Sequence, residues 1–205
     1  MRTRQRREWL RPAFGIGVVV WLMTALPAVA ASLYRIDQRY GVISFSVGSL
    51  GLFTTEGLFP RFEGELLLDT EAPERTHIDV TIDAGAVAMP LQDQADLLRS
   101  DAYFDTAHFP AEHFVSTSIQ VLSPTHFVIH GLLRIRGVAM PQDLDAVVKD
   151  RHFDQERQLE VADFVVTGDI KRSAFGMVAD QIMVSDTVRL AIRIRLTVGV
   201  QPHGE

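Results

Sequence analysis

The side chains best suited to holding a metal ion are histidines, and their spacing argues against a shared site. His126 and His130 are four residues apart, which on a helix would bring both rings to one ion. In a strand the same spacing separates them by roughly 13 Å, at about 3.3 Å per residue. His108 and His113 flank Pro110 and could approach each other in a turn, but no third ligand is evident. The sequence therefore predicts no metal site.

Carboxylates and hydroxyls form no catalytic pattern either. Glu63 and Glu65 share one face of a predicted strand, opposite its apolar residues, which indicates two solvent-exposed side chains. A general acid needs a pKa raised by burial or by a like-charged neighbour. The run Gly-Ser-Leu-Gly at 48–51 lacks the Gly-x-Ser-x-Gly order of a nucleophile elbow, and no glycine-rich phosphate loop is present. We therefore expect neither an enzyme nor a cofactor.

Arg172 is the one charged side chain with a more specific expectation. It lies in the run Lys-Arg-Ser-Ala-Phe-Gly at 171–176, where a predicted strand ends. An arginine there could hold the polar head group of a ligand. It could also form a structural ion pair with Asp101 or Asp105, which would tie the sheet to the helix that precedes them. We expect the ion pair.

The elements that position these residues are mostly strands, because apolar residues recur with period two from Leu33 onward. Period two over a long run indicates a strand with one face in an apolar interior. Turn-forming pairs such as Ser123-Pro124 and Met140-Pro141 separate the runs. The pattern predicts one all-β, mostly antiparallel domain of about eight strands, a barrel or a sandwich. The clearest strand places six apolar residues on one face, namely Val188, Leu190, Ile192, Ile194, Leu196 and Val198.

One short amphipathic helix is predicted between Met89 and Ser100. Pro90 suits its first turn, and Leu91, Ala95 and Leu98 form a narrow apolar stripe. A single helix in a β chain needs a surface to cover. Two positions stay open, one end of the barrel or its outer wall.

Residues 1–30 have the pattern of a signal peptide. Five arginines within the first eleven residues precede an uncharged apolar run, and Ala28-Val29-Ala30 matches a small-x-small cleavage site. We predict cleavage after Ala30 or one residue later, with a domain over residues 31–205. The alternative is an uncleaved anchor, since an uncharged run of this length could span a bilayer. The choice between general and twin-arginine export stays open.

The charge of the remaining chain excludes two classes of partner. Removing the five Arg and one Glu of residues 1–30 leaves 15 basic and 25 acidic side chains, a formal charge of −10. Such an acidic domain is a poor match for nucleic acid or for an anionic lipid surface. The chain has no cysteine, which excludes disulfides and thiol chemistry.

A series of short motifs, in order, resembles the YceI-like family of periplasmic polyisoprenoid-binding proteins. No single motif is specific, but their order and spacing over about residues 33–200 together are. Three positions depart from the pattern: Tyr40, Leu97 and Arg136 stand where the family often has histidine, so no histidine role is carried over. The motifs are Ile36-Asp37, Ile43-Ser44-Phe45, Glu56-Gly57-x-Phe59, Phe62-x-Gly64, Leu98-Arg99-Ser100, Tyr103-Phe104-Asp105, Phe109-Pro110, Phe114-x-Ser116, Gly131-Leu132-Leu133, Arg136-Gly137-Val138, residues 171–176 and Val184-Ser185-Asp186.

The resemblance implies a lipocalin-like barrel that encloses an elongated apolar ligand, an isoprenoid lipid or a quinone-like tail. The protein would then be a periplasmic binding or carrier protein without a membrane span after cleavage. Two alternatives stay open, a periplasmic enzyme acting on such a lipid and a packed-barrel, stress-related interaction module. The oligomeric state also stays open, with a homodimer among the options. We expect these residues to line the cavity: Phe45, Phe104, Phe127, Ile129, Leu133, Ile135, Phe164, Leu190, Ile192 and Ile194.

Small residues on the inward rows leave room for two interpretations. Gly64, Gly131, Ala146 and Gly168 lie among large apolar residues. They could make space for an elongated guest, or they could only let the strands bend.

Overall fold

The computed structural model describes residues 32–35, 38–69 and 72–199. The predicted signal peptide, residues 1–30, lies outside this range. The described part holds ten strands, one α-helix and four short 3-10 helices. The strands are β1 (Ser32–Arg35), β2 (Gly41–Ser49), β3 (Phe53–Phe59), β4 (Phe62–Leu68), β5 (His77–Asp83), β6 (Ala111–Ser123), β7 (His126–Ile135), β8 (Val138–Asp154), β9 (Leu159–Lys171) and β10 (Val184–Gly199). The α-helix is α1 (Gln92–Arg99), and the 3-10 helices are Gln38–Tyr40, Pro73–Arg75, Ala84–Ala86 and Arg172–Phe175.

All ten strands form one antiparallel sheet in the order β1-β4-β5-β6-β7-β8-β9-β10-β2-β3. The run from β4 to β10 is a meander, in which each strand pairs with the next along the chain. The sheet is curled. This is seen from Ile43 of β2 and Phe62 of β4, which come from strands far apart in this order but belong to one buried cluster. A single bridge between Leu58 and Ala88 joins β3 to the segment after β5.

The predicted all-β antiparallel fold with one short helix is confirmed, but the sheet has ten strands instead of about eight. Two strands were not predicted from the alternation of apolar residues. They are β1, which has only four residues, and β3. The sequence of β3 is Phe-Thr-Thr-Glu-Gly-Leu-Phe. Its apolar residues stand at the ends, so it shows no period of two.

The helix and the aromatic segment after it cover one end of the curled sheet. Leu98 and Phe104 pack against the buried cluster that contains Phe45 and Phe59, and Ala95 is buried. Of the two positions that the sequence left open, the structure therefore shows the end of the barrel. The helix begins at Gln92, so the expectation that Pro90 lies in its first turn is wrong by two residues. Within the described ranges, no helix is long and apolar enough to cross a membrane.

Two clusters of buried side chains pack in the interior, and their members next to the helix and next to Phe175 fill this covered end. One surrounds Phe45, Phe59 and Phe62, and the other surrounds Phe114 and Phe175. Phe104 packs against both clusters and so connects them. We call this region, with α1 and the 3-10 helix Arg172–Phe175, the closed end.

Candidate functional site

An apolar cavity of about 450 Å³ lies inside the curled sheet, beyond the closed end. Side chains from β2 and from β4 to β10 contribute to its wall. The lining is almost entirely aliphatic and aromatic. It comprises Ile43, Phe62, Leu66, Leu68, Pro73, Thr76, Ile78, Val80, Ile82, Phe114, Ile119, Pro124, Thr125, Phe127, Ile129, Leu133, Gln142, Leu144, Ala146, Val148, Arg151, Glu160, Ala162, Phe164, Val166, Leu190, Ile192, Ile194 and Leu196.

Strand register explains why the wall is apolar. Ile192 of β10 stands opposite Ile43 of β2 on one side and Val166 of β9 on the other. Val166 in turn stands opposite Ala146 of β8, which stands opposite Phe127 of β7. Because directly opposed residues share a face of the sheet, this one row carries an apolar side chain on five neighbouring strands.

The cavity opens at the end of the sheet opposite the helix. Its rim is formed by Pro73, by Pro124 and Thr125 in the β6–β7 turn, and by the ion pair of Arg151 and Glu160. Arg151 donates from its guanidinium to Glu160 Oε2 at 2.8 Å, and both side chains are largely exposed. The charged side chains of the cavity therefore lie at its mouth and already neutralise each other.

Aromatic rings close the other end. The ring centres of Phe45 and Phe59 are 5.4 Å apart, and those of Phe59 and Phe104 are 5.6 Å apart with the rings nearly perpendicular. These are favourable tilted and edge arrangements, so the three rings pack together at this end. The interior is thus a pocket that is open at one end.

Seven of the ten residues that the sequence assigned to the cavity lie in its wall: Phe127, Ile129, Leu133, Phe164, Leu190, Ile192 and Ile194. The other three face the interior but belong to the closed end. Phe45 and Phe104 pack on Phe59, and Ile135 is buried in the cluster that holds Phe175. Period two tells which face a residue occupies, but not how far along the barrel it lies, so it does not separate these three residues from those of the cavity wall.

Residues of β4, β5 and β6 complete the wall and were not assigned from the sequence. Leu66, Ile78, Val80, Ile82 and Phe114 all line the cavity. The signal that could have found them was present, because each belongs to an alternating apolar run in its strand.

The small residues on the inward rows differ in whether they leave open space for a guest molecule. A Cβ atom at Gly131 would lie 2.6 Å from the carbonyl oxygen of Val115 and even closer to the ring of Phe114. A Cβ atom at Gly168 would lie 2.6 Å from a methyl group of Leu144. Neighbouring side chains therefore already fill the space at both glycines. Ala146, by contrast, borders the cavity.

Arg172 is buried, with 3% of its surface exposed, and the expected ion pair with Asp101 or Asp105 is wrong. Its guanidinium instead donates to the carbonyl oxygens of Met177, Ala179, Val184 and Ser185, at 2.8, 2.6, 3.0 and 3.0 Å. The group therefore ties the 177–185 loop to the end of β9. It does not line the cavity, which also leaves it no head-group role there.

A second contact holds the same loop to the closed end. The hydroxyl of buried Tyr103 donates to Asp180 Oδ2 at 2.8 Å. Burial raises the pKa of the Tyr103 hydroxyl to about 12, and the bond to Asp180 acts in the same direction. The aromatic segment thus helps to fix the loop that Arg172 binds.

Among the described residues, Glu112 is the one carboxyl whose pKa is strongly raised. It is 3% exposed, Oε2 accepts a hydrogen bond from the backbone N–H of Arg136, and Oε1 has no partner among the described residues. Burial raises the pKa of Glu112 to about 8, although the Arg136 N–H and charge act in the opposite direction. It lies at the closed end, outside the cavity wall.

The histidines form separate pairs with aspartates on the outer face. His126 contacts Asp145 at 2.8 Å, and His130 contacts Asp143 at 2.7 Å. Within the described ranges, no three His, Asp or Glu side chains converge as a metal site would require.

Comparison with known proteins identifies the family. The model of the YceI-like domain matches residues 34–196. The chain belongs to the YceI-like family. The protein YceI of Salmonella arizonae is 30% identical over 168 residues, which cover 76% of this chain and 87% of that protein. The YceI protein of Salmonella paratyphi B shows the same values.

Solved structures share the fold. BcnA of Burkholderia cenocepacia superimposes with a TM-score of 0.68 at 23% identity, covering 78% of this chain and 99% of that one. A Campylobacter jejuni YceI protein gives 0.68 at 24% identity, covering 75% and 90%. A polyisoprenoid binding domain from Saccharophagus degradans gives 0.54 at 13% identity, covering 82% and 100%. The lipocalin-like architecture that the motifs implied is therefore shown.

Proposed function

We propose that the protein binds an elongated apolar molecule, an isoprenoid lipid or a quinone-like tail, in the cavity and carries it in the periplasm. The observation that carries this proposal is the apolar cavity of about 450 Å³, open at one end. Its volume lies in the range of known small-molecule sites, roughly 300–1,000 Å³.

The chemistry of the wall favours a hydrocarbon chain over a polar ligand. Burial of apolar surface stabilises by roughly 25 cal/mol per Å², so a chain in this cavity needs few directional contacts. The side-chain amide of Gln142, which borders the cavity, already donates to the carbonyl oxygens of Asp143 and Asp169, so it is committed to the protein. A polar end of the ligand would therefore remain at the mouth, near Arg151 and Glu160.

Two further observations support the ligand class and the compartment. One structural relative is a polyisoprenoid binding domain. Residues 1–30 combine a basic start, an apolar run and a small-x-small site, as exported proteins do. Amino-terminal sequencing of the native protein should find Ala31 or Ser32 first. Recovery of Met1 in the membrane fraction would contradict export with cleavage.

The cavity distinguishes this role from the two alternatives. A packed-barrel interaction module requires a filled interior, and about 450 Å³ of open apolar space argues against it. An enzyme acting on the same lipid would need a reactive group facing the ligand. Glu112, the carboxyl group with the raised pKa, lies outside the cavity wall, and Arg151 and Glu160 form an ion pair with each other. We therefore propose binding without catalysis.

The decisive experiment combines ligand detection with a matched pair of variants on β8. Protein purified gently from its native host should release an apolar compound into organic solvent, detected by mass spectrometry. Ala146→Leu adds volume to the cavity wall and should reduce bound lipid at least about tenfold. Ala139→Leu adds the same volume on the exposed face of the same strand and should bind normally.

Two outcomes would overturn the proposal. The first is wild-type protein that is repeatedly empty and whose melting temperature no isoprenoid alcohol or quinone raises, because a ligand that binds the native state must stabilise it. The second is a folded Ala146→Leu variant that carries as much lipid as Ala139→Leu. Either result would mean that the cavity does not hold the ligand.

A further inference from the structure

The most exposed large apolar side chains of the described chain are concentrated at the closed end. Seven of them are more than half exposed, and six of the seven belong to two segments, 50–53 and 178–183. Single exposed apolar residues are ordinary on a protein surface, whereas a contiguous group marks an interaction site. We call these six side chains the apolar tip: Leu50, Leu52, Phe53, Val178, Ile182 and Met183.

The two segments form one continuous surface. The backbone N–H of Leu50 donates to the carbonyl oxygen of Met183 at 2.7 Å, and Ser49 pairs with Val184 where β2 meets β10. The first segment is a tight turn, because both Leu50 and Gly51 have positive φ angles. The turn therefore carries its apolar side chains beside those of the second segment.

The apolar tip is fixed to the closed end and carries almost no charge. Arg172 donates to the carbonyl oxygens of Met177 and Ala179, which hold the start of the second segment. Asp180 is the only charged residue in the two segments, and its carboxylate accepts the hydroxyl hydrogen bond of buried Tyr103. Because the backbone is already held, a partner would meet these apolar side chains at little further cost in ordering.

The shape and composition of the apolar tip favour a lipid bilayer over a protein partner. Leu52 is 86% exposed and Ile182 is 100% exposed, so both project beyond the surface. A protein would need a matching pocket for each of them, whereas the fluid interior of a bilayer accepts them without one. The tip also lacks the Trp, Tyr and Arg that dominate protein–protein hot spots. Leu, Ile, Val and Phe all transfer favourably into a bilayer.

We propose that the apolar tip inserts into the interfacial region of a bilayer and holds the protein at a membrane surface. The exposed carboxylates of Asp93, Asp96 and Asp101 also lie at the closed end, and the chain has a net charge of −6. The lipid partner is therefore zwitterionic, because anionic lipid would repel these groups. The cavity mouth lies at the opposite end of the sheet and faces away from this membrane. The inference goes beyond the proposed function and does not depend on what the cavity holds.

Single labelled positions test the proposal directly, because the chain contains no cysteine of its own. A nitrobenzoxadiazole fluorophore on Leu52→Cys or Ile182→Cys should become brighter and blue-shifted with phosphatidylcholine vesicles. Lipids that carry a nitroxide on their acyl chains should then quench it. Leu122→Cys is the matched control, an exposed leucine of β6 beside the mouth, and its label should not respond.

The labels separate membrane attachment from lipid binding inside the barrel. Neither Leu52 nor Ile182 lines the cavity, so lipid that enters the barrel does not reach a label at either position. Each label also reports the insertion of its own position, whether or not residues 1–30 remain on the chain. An unresponsive label would leave lipid binding in the cavity untouched, and an empty cavity would leave membrane attachment untouched.

A second pair of variants tests the contribution of one apolar side chain. With the label at position 52, Ile182→Gln should raise the lipid concentration for half-maximal response about tenfold, since a side chain that leaves water is replaced by a polar one. Leu132→Gln changes an exposed leucine on β7, away from the apolar tip, and should change this concentration less than twofold. Added salt should not weaken the response, because the contact is apolar.

Several results would overturn the proposal. Labels at positions 52 and 182 that ignore the vesicles would do so, as would an equal response at position 122. Equal effects of Ile182→Gln and Leu132→Gln would exclude a specific contribution of the apolar tip. A response that requires phosphatidylglycerol and disappears in salt would indicate electrostatic adsorption instead. A dimer that Ile182→Gln dissociates in sedimentation experiments, with labels that ignore vesicles, would assign the apolar tip to contact between two copies.

Discussion

The closed end and the cavity are built from the same inner face of the same strands, yet one is filled and the other is open. At the closed end, rings from three segments meet within 5.6 Å of each other. In the cavity, side chains of β2 and of β4 to β10 face one another across about 450 Å³. The difference arises from what covers the sheet. Helix α1 and Phe104 insert over one end, whereas among the described residues short turns and the 3-10 helix Pro73–Arg75 border the other.

Buried polar groups also separate the two regions. Arg172 and Glu112 both lie at the closed end, each 3% exposed, and the wall of the cavity buries no comparable charge. Arg172 has a carbonyl oxygen for each of its four hydrogen bonds, whereas Glu112 is only half satisfied. The buried charged groups of the described interior therefore lie at the closed end, whereas the cavity wall is apolar.

The largest effect is expected from Arg172→Met, which would break the closed end. Four carbonyl oxygens, one buried and three partly buried, would lose their donor, and each unsatisfied buried group costs about 1–3 kcal/mol. We expect a loss of about 5 kcal/mol or more in the free energy of unfolding, enough to unfold a marginal domain. Urea unfolding measures it. Arg189→Met, on the exposed face of β10, should lose less than about 0.5 kcal/mol. Equal stability of the two variants would show that the carbonyl contacts are not essential.

Glu112 should make the closed end sensitive to pH. Its pKa is about 8 in the folded protein and near the ordinary 4.5 when unfolded, so the folded state holds the extra proton between these values. Its contribution is complete below about pH 4.5 and is lost as the pH rises to about 8. Relative to Glu112→Gln, wild-type protein should lose roughly 2–4 kcal/mol between pH 5 and pH 8, at about 1.4 kcal/mol per pKa unit.

The measurement is urea unfolding of both proteins across this pH range, because the difference between them cancels groups that titrate in both. Exposed Glu63→Gln serves as the control and should track wild type at every pH. If the wild-type and Glu112→Gln curves ran parallel, the carboxyl would have to be ionised and solvated in the folded protein.

A single methyl group should test where the interior is full. Gly131→Ala places a Cβ atom 2.6 Å from the backbone oxygen of Val115, which cannot move without disturbing β6. Overpacking of this kind costs about 1–3 kcal/mol. Gly48→Ala is the matched strand control, since its nearest neighbour would lie 3.6 Å away. Thermal unfolding should separate the two, and a Gly131→Ala variant as stable as Gly48→Ala would mean that Phe114 leaves more room than its position suggests.

The smallest effect on stability is expected where the interior is open. Ala146→Leu adds three carbon atoms, more than Gly131→Ala does, but they enter the cavity. We expect a change within about 1 kcal/mol of wild type in ligand-free protein, because space for the new atoms already exists. Ala139→Leu on the outer face provides the baseline. A loss of 3 kcal/mol or more for Ala146→Leu would show that this part of the wall is packed.

Much of the fold follows from period two, and so does the face of each cavity residue. Ile129, Leu133 and Ile192 could be assigned to the interior because alternation fixes the side of the sheet. Phe45 and Ile135 obey the same rule but lie at the covered end, since depth depends on the strand register and on where the helix docks. Both are set by contacts between distant residues, which alternation does not encode.

The partners of Arg172 could not be predicted for a different reason. Aspartates near the helix were the obvious candidates by charge, whereas the actual acceptors are backbone carbonyls. Every residue has a carbonyl group, so nothing in the sequence of the 177–185 loop indicates that its backbone turns toward an arginine. The strand β3 was missed because its apolar residues do not alternate.

The pairing of β2 with β10 has a consequence for the order of folding. Ser44 donates to the carbonyl of Ala191 across 147 residues of chain, whereas the meander from β4 to β10 joins neighbours. Long-range contacts require the costliest loop closure and form slowly, so hairpins of the meander should assemble first. Ile43 and Ile192 stand opposite each other in this late-forming strand pair, and both line the cavity. In the proposed function, a lipid bound during maturation would contact both strands and would therefore stabilise the pairing that forms most slowly.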